Sequence, residues 1–353
     1  MEIRVELTKN QKSKPDFNNL GFGNYFSDHM FILDYTEGKG WHDARIVPYG
    51  PIPYEPSLMV FHYGQSIFEG LKAYRTENGQ VVLFRPDENM KRLNQSCDRL
   101  CIPRIDEEFA VGALKKLINI DIDWVPNNEG TSLYVRPFII ATDPFIGVRP
   151  SNTYQFIIIT GPVGAYYKEG LNPVKIYVET NYVRAVIGGL GQAKASANYA
   201  ASLKAQEVAK KKGYSQVLWL DGIEKKYVEE VGTMNVFFVI GDEVVTPELN
   251  GSILPGITRK SCIELLRHWG LKVSERKISM DEIYEASEKG LLKEAFGTGT
   301  AAVISPIGEL FWNDKKLSLS GGKIGELSQK LYDNLTAIQY TKIPDPFNWI
   351  VKV

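Results

Sequence analysis

The sequence predicts a protein of two domains in the α+β or α/β class, built on mixed β-sheets with separate helices. Its 353 residues fit two domains of about 150 residues each. Runs rich in β-branched and aromatic residues follow one another through short turns, which is typical of paired strands. Helical segments stand apart from these runs instead of alternating with them. The pattern therefore favours mixed sheets over one doubly wound parallel sheet.

The first half of the chain contains most of the strand signals. The turn sequence Glu77-Asn78-Gly79 lies between two apolar runs and predicts a hairpin. Pro86 suits the first position of a helix that follows the second run. Strands are predicted at residues 30–33, 71–75, 81–85, 132–141 and 154–160, and helices at 86–100 and 107–120.

A break in this pattern predicts the boundary between the domains. Residues 161–173, with the sequence GPVGAYYKEGLNP, interrupt any helix or strand and are typical of a linker. We expect a small N-terminal α/β domain at residues 1–168, a linker at 169–176 and a large C-terminal domain at 177–353. Further strands are predicted at 174–179, 216–220, 227–230 and 235–240, and a helix at 258–269.

Composition and charge exclude several classes of function. The 41 basic and 42 acidic residues leave a formal charge of −1, which gives no field to attract nucleic acid or an anionic membrane. Hydrophobic residues at 44% and charged residues at 24% are the usage of a folded globular protein. The most apolar runs have the length of strands, and the charged N-terminus directs no export. We expect a cytoplasmic protein without membrane or nucleic acid partners.

Neither a disulfide framework nor a metal site is predicted. The chain has three cysteines, of which Cys97 and Cys101 lie one helical turn apart and are expected to be buried or half-buried thiols. The four histidines are scattered, without the spacing of metal ligands. These counts favour ordinary structural roles for both residue types.

One stretch, residues 297–302, matches the dinucleotide-binding pattern G-x-G-x-x-A. Ser305-Pro306 follows it where that pattern requires a helix, and no acidic residue closes a strand at the expected distance. The residues around this stretch therefore do not fit a dinucleotide-binding site. An NAD-dependent oxidoreductase remains only a remote alternative.

Lys194 is the most informative single residue. It is the one charged side chain in residues 185–203, among small and apolar neighbours. An ammonium in such surroundings tends to lose solvent, which favours the neutral, nucleophilic amine that forms imines with carbonyls. The alternative is a structural lysine that reaches solvent from a loop of small residues.

Adjacent acids at Glu229 and Glu230 precede a glycine in a β-rich run. Because side chains alternate along a strand, one of the two carboxylates is expected to point inward. An inward carboxylate needs a cationic or proton-donating partner, such as a protonated pyridine nitrogen. An exposed pair at the end of a strand is the alternative.

Three features outline a site for a phosphate. Residues 254–261 lead with Pro-Gly into a helix, whose free N–H groups and Thr258 hydroxyl suit an anion. Residues 297–300 are expected to form a flexible loop with two hydroxyls. Arg85, at the end of a strand, adds a bidentate cation.

Six ordered segments of the sequence resemble the motif series of branched-chain amino acid aminotransferases, from about residue 21 to the C-terminus. The segments are FEGLKAY (68–74), LFRP (83–86), KASANY (194–199), EVGTMN (230–235), LPGITR (254–259) and FGTGTA (296–301).

The resemblance implies the fold type IV class of pyridoxal 5'-phosphate enzymes, with the cofactor at the domain interface and a homodimer as the usual assembly. Lys194 resembles the catalytic lysine that forms a Schiff base with the cofactor, and Glu230 resembles the partner of its ring nitrogen. Further cofactor-binding residues implied by the motifs are Arg85, Arg184, Tyr199, Thr233, Asn235, Gly256, Ile257, Thr258 and Thr300. Substrate-binding residues implied in the same way are Phe22, Tyr63, Phe68, Tyr134, Arg136, Val148, Thr233, Thr300 and Ala301, with Val148 reaching the neighbouring subunit's site.

The chain departs from the family pattern at two places. Ser196 and Ala197 stand where the family often has glycines, so the backbone there must avoid conformations reserved for glycine. Ala302 and Ser305 stand where some members have a redox cysteine pair, so no thiol switch is expected there.

The activity that the resemblance implies is reversible, ping-pong transfer of the amino group of leucine, isoleucine or valine to 2-oxoglutarate. Three alternatives retain the same lysine and phosphate site: a D-amino acid aminotransferase, an aminodeoxychorismate lyase, or a non-catalytic protein that binds pyridoxal phosphate. The sequence leaves open which branched-chain substrate is preferred and whether the reaction serves synthesis or breakdown.

Overall fold

The computed structural model describes residues 1–164 and 171–353. The chain divides into two units. Unit 1 consists of Met1–Lys168, Ala193–Ala197 and Ala337–Val353, and unit 2 consists of Glu169–Gln192 and Asn198–Thr336. The short segment that contains Lys194 therefore belongs to unit 1, although the residues on both sides of it belong to unit 2.

The first part of the chain forms eight strands and three helices. The strands are β1 (Arg4–Val5), β2 (His29–Thr36), β3 (Gly40–Pro48), β4 (Ser66–Phe68), β5 (Leu71–Arg75), β6 (Val81–Phe84), β7 (Ser132–Ala141) and β8 (Thr153–Val163). The helices are α1 (Met59–Tyr63), α2 (Pro86–Arg99) and α3 (Glu107–Ile120).

The second part of the chain contains the remaining elements. The strands are β9 (Val174–Val178), β10 (Gln216–Leu220), β11 (Val228–Val231), β12 (Met234–Ile240), β13 (Glu243–Thr246), β14 (Lys272–Glu275), β15 (Leu292–Gly299), β16 (Val303–Trp312), β17 (Lys315–Ser318) and β18 (Ile350–Lys352). The helices are α4 (Ser196–Lys211), α5 (Ile257–His268), α6 (Met280–Glu288) and α7 (Glu326–Gln339). Among the described residues, no helix is long and apolar enough to cross a membrane.

Unit 1 is built on a sheet with the strand order β1-β3-β2-β8-β7-β5-β6-β18, to which β4 adds by pairing with β7. The side chains of strand β7 alternate between the two faces of this sheet. Leu133, Val135 and Ile139 are buried in a core shared with α2 and α3, whereas Tyr134 and Arg136 alternate with them and are half-buried on the other face. The period of two thus separates core residues from predicted substrate residues on one strand.

Unit 2 is built on a sheet with the strand order β11-β10-β9-β16-β15-β12-β13-β14, with β17 paired to β16. Because β11 also pairs with β12, the strands from β11 to β12 close into a ring. Strand β9 is parallel to both β10 and β16, while most other pairs are antiparallel. The mixed sheets predicted from the sequence are therefore confirmed.

The limits of several elements match their predictions to the residue, among them β5, β7, β10 and α3. The expected break at residues 161–173 was wrong at its start, because β8 continues to Val163. Gly161 admits the Tyr25 carbonyl, whose oxygen would lie 2.0 Å from an added Cβ. Pro162 pairs with β7 beyond the point where β8 pairs with β2, so its missing N–H is tolerated.

The predicted domain limits fall partly on residues outside the described part of the chain. Residues 165–170 include the end of the proposed first domain at 168 and the start of the linker at 169. Residues 174–176, the last part of that predicted linker, form the beginning of β9. The limits 1–168, 169–176 and 177–353 remain a proposal.

The three cysteines are free thiols. Cys97 and Cys262 are buried, and burial raises the pKa of the Cys97 thiol to about 12. Cys101 is exposed, which corrects the expectation that both members of the 97–101 pair are at least half-buried. It follows α2 in a left-handed conformation, with φ of 55°, where the helix has ended and its side chain leaves the core.

Glu294, on β15, provides a buried acceptor near the N-terminus of α7. Its carboxylate accepts hydrogen bonds from Leu327 N at 2.9 Å, Ser328 N at 3.0 Å and Ser328 Oγ at 2.8 Å. An anion at this end of a helix binds N–H groups that lack partners within the helix. Glu294 therefore joins α7 to the sheet of unit 2.

We predict that Glu294→Ala lowers the free energy of unfolding by about 1–3 kcal/mol, because it leaves buried donors without their acceptor. Urea unfolding followed by circular dichroism measures this change. Glu285→Ala is the matched control, since Glu285 forms an exposed ion pair with Lys289 at 3.3 Å worth less than about 0.5 kcal/mol. Equal stabilities for the two variants would contradict the role assigned to Glu294.

Candidate active site

The backbone of Lys194 is held by hydrogen bonds at both its N–H and its carbonyl. Its N–H donates to Ser96 Oγ at 2.9 Å, and its carbonyl accepts from the N–H of Phe68 at 3.0 Å. The next residue, Ala195, forms a β-bridge with Ile67 of β4. Lys194 itself is half-buried. The backbone of Lys194 and Ala195 is thus fixed on β4, directly before α4 begins at Ser196.

Ser196 replaces a family glycine with a side chain that has a contact. Its hydroxyl lies 2.7 Å from Ser66 Oγ on β4. Neither Ser196 nor Ala197 has a positive φ, so the expectation that this backbone avoids conformations reserved for glycine is confirmed. The departure from the family pattern adds a hydrogen bond to the lysine segment.

Glu69 and Arg92 form a buried ion pair in unit 1. Arg92 Nε lies 2.8 Å from Glu69 Oε1, Arg92 Nη2 lies 2.9 Å from Oε2, and Asn89 donates to Oε2 at 2.7 Å. Burial opposes the charge on Glu69, but the guanidinium of Arg92 outweighs it and, with Lys194, lowers the pKa of this carboxyl. The pair therefore stabilises the fold at neutral pH, and that contribution is lost as the pH falls through the lowered pKa.

Sequence reasoning missed this ion pair. Glu69 lies within the segment 68–74 that supported the family resemblance, but no pattern in the sequence names Arg92 as its partner. Arg92 and Ser96 are four residues apart on α2, and so lie on one helix face. The same face of α2 therefore contacts both Glu69 and the backbone of Lys194.

An aromatic and cationic cluster lies beside the Lys194 side chain in unit 1. The guanidinium of Arg136 lies 4.4 Å from the ring centre of Phe68, and its Nη2 donates to the hydroxyl of Tyr134 at 2.8 Å. The ring of Phe22 packs on Tyr134 at 5.0 Å. Lys194 Nζ lies 5.1 Å from the ring centre of Phe68. Four predicted substrate residues thus meet beside the predicted catalytic lysine.

Gly70 makes room for this cluster. A Cβ at Gly70 would lie 2.2 Å from the Tyr134 hydroxyl. Any other residue would displace Tyr134 and its hydrogen bond with Arg136. The glycine of the 68–74 segment is therefore explained by close approach.

Lys72 adds a buried amine to the same face of the sheet. It lies directly opposite Tyr134 in the pairing of β5 with β7, and cross-strand partners share a face. Burial lowers the pKa of Lys72 to about 8. The face that carries Arg136 thus has a second positive charge at neutral pH, which sequence reasoning did not single out.

Tyr63 and Val148 do not share the burial of this cluster. Tyr63 ends α1 and is 39% exposed, and Val148, in the loop after β7, is 87% exposed. Their predicted roles in substrate binding remain proposals.

Arg85 has an unusual backbone for a non-glycine residue. It caps α2 with φ of 49° and ψ of 46°, and its N–H donates to the carbonyl of Trp349 at 2.8 Å. Its buried guanidinium lies 5.0 Å from the ring centre of Trp349. A left-handed conformation at such a residue persists only where the surroundings fix it, and here they fix the position of a bidentate cation.

In unit 2, one ion-pair partner and two hydrogen-bond donors surround the Glu230 carboxylate. Arg184 Nε lies 2.6 Å from Oε2, while Asn235 Nδ2 and the N–H of Leu254 donate to Oε1 at 3.2 and 3.1 Å. Arg184 Nη2 also donates to the Ser252 carbonyl at 2.7 Å. The predicted residues Arg184, Glu230 and Asn235 therefore form one connected group.

Both glutamates of the 229–230 pair are buried, each 3% exposed. An inward carboxylate was expected at one of the two positions and is confirmed, whereas the alternative of an exposed pair was wrong. Strand β11 is a member of the ring, between β10 and β12, and the loop 250–254 contacts both glutamates.

Glu230 belongs to a row of side chains across three strands. It pairs with Asn235 of β12, and Asn235 pairs with Thr298 of β15, so the three share one face. Thr298 is 2% exposed, and its Oγ1 has no hydrogen-bond partner among the described residues. A buried hydroxyl without a partner is costly. A polar ligand on this face would satisfy it.

Helix α5 begins beside this row. Its N-cap, Gly256, has no side chain to cap the helix, so the first N–H groups suit an anion. A Cβ at Gly256 would lie 2.0 Å from Asn235 Oδ1. Gly256 thus lets the start of α5, with Ile257 and Thr258, approach the carboxylate group of Glu230.

Residues 297–299 are not the flexible loop that was expected. They form the end of β15, paired with both β12 and β16, because neighbouring strands on both sides override the turn preference of glycine. No helix follows them, which agrees with the rejection of a dinucleotide site. Thr300 and Ala301 begin the turn into β16 and are half-buried.

The remaining predicted cofactor residues lie elsewhere in unit 2. Tyr199 lies on the first turns of α4 and is half-buried. Thr233 lies in the tight turn between β11 and β12 and is exposed. Within residues 1–164 and 171–353, no group of histidine, cysteine and acidic side chains is arranged to hold a metal ion.

Comparison with known proteins gives matches over most of the chain. Residues 66–310 match the family described as amino-transferase class IV. The chain is 63% identical to branched-chain-amino-acid aminotransferase 2 of Bacillus subtilis (strain 168), over 99% of this chain and 97% of that protein.

Solved structures give the same result. The branched-chain amino acid aminotransferase of Escherichia coli aligns with a TM-score of 0.76 and 27% identity, over 91% of this chain and 98% of that chain. The T.th. branched-chain amino acid aminotransferase complexed with N-(5'-phosphopyridoxyl)-L-glutamate aligns with a TM-score of 0.75 and 26% identity, over 91% of this chain and 97% of that chain.

We predict that Gly256→Ala weakens binding of pyridoxal phosphate at least about tenfold, because the added Cβ moves either Asn235 or the start of α5. Titration of the apoprotein followed by visible absorbance measures this change. Gly112→Ala is the matched control, because a Cβ at Gly112, within α3, meets nothing within 4 Å. Unchanged affinity in Gly256→Ala would contradict the assignment of this turn to the phosphate.

Proposed function

Because the chain belongs to the class IV aminotransferase family, we propose that it is a branched-chain-amino-acid aminotransferase. It transfers the amino group of leucine, isoleucine or valine to 2-oxoglutarate, reversibly, with pyridoxal phosphate as cofactor. The observation that carries this proposal is the cluster of Phe22, Phe68, Tyr134 and Arg136 beside Lys194, which combines apolar walls with a cation. The names of the similar proteins from Bacillus subtilis and Escherichia coli support the same substrates.

The residues of this chain fit the cofactor. In unit 2, the Thr298 hydroxyl has no hydrogen-bond partner among the described residues, and the N-terminus of α5 has no side-chain cap, so both groups suit a polar ligand. The phosphate would be held by Arg85, Ile257 and Thr258, and the ring nitrogen by Glu230. Lys194 would hold the aldehyde carbon. Tyr199, Thr233 and Thr300 complete the proposed set.

Lys194 provides the mobile amine of the reaction. When bound, pyridoxal phosphate supplies an electron sink for the electron pair left at the substrate Cα. Lys194 Nζ would take the proton from the substrate Cα and donate it to the aldehyde carbon of the cofactor. Since its backbone is fixed by Ser96 and Phe68, only the side-chain torsions need to change between these positions.

Glu230 provides a fixed negative charge. Its carboxylate is held by Arg184, Asn235 and the Leu254 N–H, each of which stabilises the ionised form. An ionised carboxylate at this point would hold a proton on the ring nitrogen of the cofactor. Glu230 therefore acts without changing its own position.

One pocket must accept two kinds of side chain in turn. The rings of Phe22 and Phe68 suit an aliphatic side chain. Arg136, stacked on Phe68 and bonded to Tyr134, suits the second carboxylate of 2-oxoglutarate or glutamate. The T.th. enzyme was solved with a phosphopyridoxyl-glutamate compound, which supports glutamate as one of the two substrates.

We predict that leucine bleaches the visible absorption band of the bound cofactor and that 2-oxoglutarate restores it, because the two half-reactions share one site. Stopped-flow absorbance of the holoprotein measures both steps. Lys194→Ala is expected to keep the fold but lose turnover, while Lys204→Ala, an exposed lysine on α4, is the matched control with unchanged activity.

Other outcomes separate the alternatives. Bleaching by D-amino acids but not by leucine indicates a D-amino acid aminotransferase, and pyruvate release from aminodeoxychorismate indicates the lyase. A band that no amino acid alters indicates a non-catalytic binding protein. Substantial turnover by Lys194→Ala would overturn the assignment of that lysine.

We propose further that the protein is a cytoplasmic homodimer. The three free cysteines support a reducing compartment. An exposed apolar patch on unit 1 supports the dimer: Phe61 is 60%, Ile146 67% and Val148 87% exposed. The N–H of Met59 donates to the Asp143 carbonyl at 3.0 Å, so α1 and the loop after β7 that carry these side chains lie side by side. Patches of this kind mark interaction surfaces.

We predict that Ile146→Asp converts the dimer to monomers, because it places a charge within the apolar contact. Sedimentation velocity of the holoprotein measures the assembly state. Ile223→Asp is the matched control, since Ile223 is 79% exposed on unit 2 and outside this patch. A stable dimer in Ile146→Asp would exclude the patch as the interface.

A further inference from the structure

Glu229 is buried beside the proposed active site without a role in the function above. It is 3% exposed, and its Oε1 contacts the hydroxyl of Ser252, which is fully buried. Its Oε2 is buried without a hydrogen-bond partner among the described residues. A carboxylate in this state carries a large cost if it is charged. Burial therefore favours the protonated, neutral form of Glu229.

The hydrogen-bond pattern around Ser252 indicates that Glu229 is protonated. Ser252 Oγ lies against two acceptor oxygens, Glu229 Oε1 and Asn250 Oδ1, the latter at 2.7 Å. The amide of Asn250 cannot be reversed, because its Oδ1 accepts the N–H of Ser252 at 3.0 Å. One hydroxyl has one proton and cannot donate to both oxygens. The second proton must come from Glu229, which is then a neutral carboxylic acid that donates to Ser252.

The surroundings of Glu229 agree with a neutral acid. Burial raises the pKa of Glu229 and the charge of Asp221 adds to this, while contacts with Ser252 and Asn250 and the charge of Arg184 only partly offset the rise. Glu229 also lines a cavity of about 70 Å³ in unit 2. The other charged residues that line this cavity are Asp221, Glu224, Glu248 and Lys277.

The loop that contains Ser252 also serves Glu230. The Ser252 carbonyl accepts from Arg184 Nη2 at 2.7 Å, and Arg184 Nε lies 2.6 Å from Glu230. The N–H of Leu254 donates to the same glutamate at 3.1 Å. The loop 250–254 therefore lies between two adjacent glutamates: its side chains bind Glu229, and its backbone positions the groups that bind Glu230.

Gly191 allows the loop 250–254 to pack closely against its backbone. A Cβ at Gly191 would lie 1.9 Å from the Ser252 carbonyl oxygen, so the loop packs directly on this backbone. A loop that loses its contact with Glu229 is blocked on the side of Gly191, where Arg184 Nη2 also lies 3.4 Å from the Gly191 carbonyl. Movement away from that side takes the Ser252 carbonyl away from Arg184.

We propose that Glu229 is a positioning residue: as a neutral acid it fixes Ser252, which holds Arg184 on Glu230. The inference rests on the proposed function, because it gives Glu230 the ring nitrogen of the cofactor as its partner. A neutral Glu229 also leaves Glu230 as the charged member of the pair.

Three variants of the holoprotein test this inference. Glu229→Gln keeps a neutral donor to Ser252 and is expected to match the wild type. Glu229→Ala removes the donor, and we expect kcat to fall about 10- to 100-fold with little change in KM. Glu224→Ala, an exposed residue that lines the same cavity, is the matched control and is expected to leave both constants unchanged.

A spectroscopic measurement separates positioning from a general loss of structure. The ¹⁵N resonance of pyridoxal phosphate labelled at its ring nitrogen reports whether that nitrogen carries a proton. We expect the proton to persist over the same pH range in the wild type and Glu229→Gln, and to be lost at lower pH in Glu229→Ala. An unchanged resonance in Glu229→Ala overturns the inference.

Ser252→Ala provides a second route if Glu229→Ala does not fold. It removes Oγ and keeps the carbonyl, so it should shift the ¹⁵N titration in the same direction. Where both variants fold, the double variant should be no worse than either single one, because both act through one contact. A Glu229→Gln variant that behaves like Glu229→Ala shows that an ionised carboxylate is needed and overturns the inference. A wild type that binds no pyridoxal phosphate overturns the proposed function itself.

Discussion

The ion pair between Glu69 and Arg92 is the interaction on which the arrangement of unit 1 depends. Both groups are buried, at 0% and 6% exposure, so loss of either partner would leave a charge without compensation, at a cost of about 3–5 kcal/mol. The pair fixes α2 against the turn between β4 and β5. One helical turn further along α2, Ser96 accepts the backbone N–H of Lys194. The predicted catalytic lysine is therefore placed by a helix whose own position is set by a buried charge pair.

The two units use the same principle to separate core from site. In unit 1, alternate residues of β7 pack into the core or face the aromatic cluster. In unit 2, a row across β11, β12 and β15 brings Glu230, Asn235 and Thr298 to one face. A strand has only two faces, so a sheet that buries one face can assign the other to chemistry. Register fixes which side chains meet across strands, and glycines such as Gly70 and Gly256 decide how closely they meet.

Much of this arrangement could be predicted from the sequence, because it depends on local patterns. Strand alternation and turn residues predicted the limits of β5 and β7 to the residue, and a single charge in a stretch of small residues singled out Lys194, whose role remains a proposal. The failures depend on partners distant in sequence. The continuation of β8 past Gly161 depends on the Tyr25 carbonyl, and the burial of both Glu229 and Glu230 depends on hydrogen-bond partners from the loop 250–254. The sequence shows where a charged residue lies, but not which distant residue compensates its charge in the fold.

The division of the chain has a consequence for how the protein is made. Unit 1 includes the Lys194 segment and residues 337–353, and its strand β6 pairs with β18. A ribosome delivers β6 long before β18, so the growing chain must keep this sheet edge unpaired while all of unit 2 emerges. The lysine segment likewise reaches β4 only after the intervening chain has been synthesised. Unit 1 cannot then mature as a nascent domain ahead of unit 2, and a gene cut between the units would yield a fragment with an open sheet edge and no lysine.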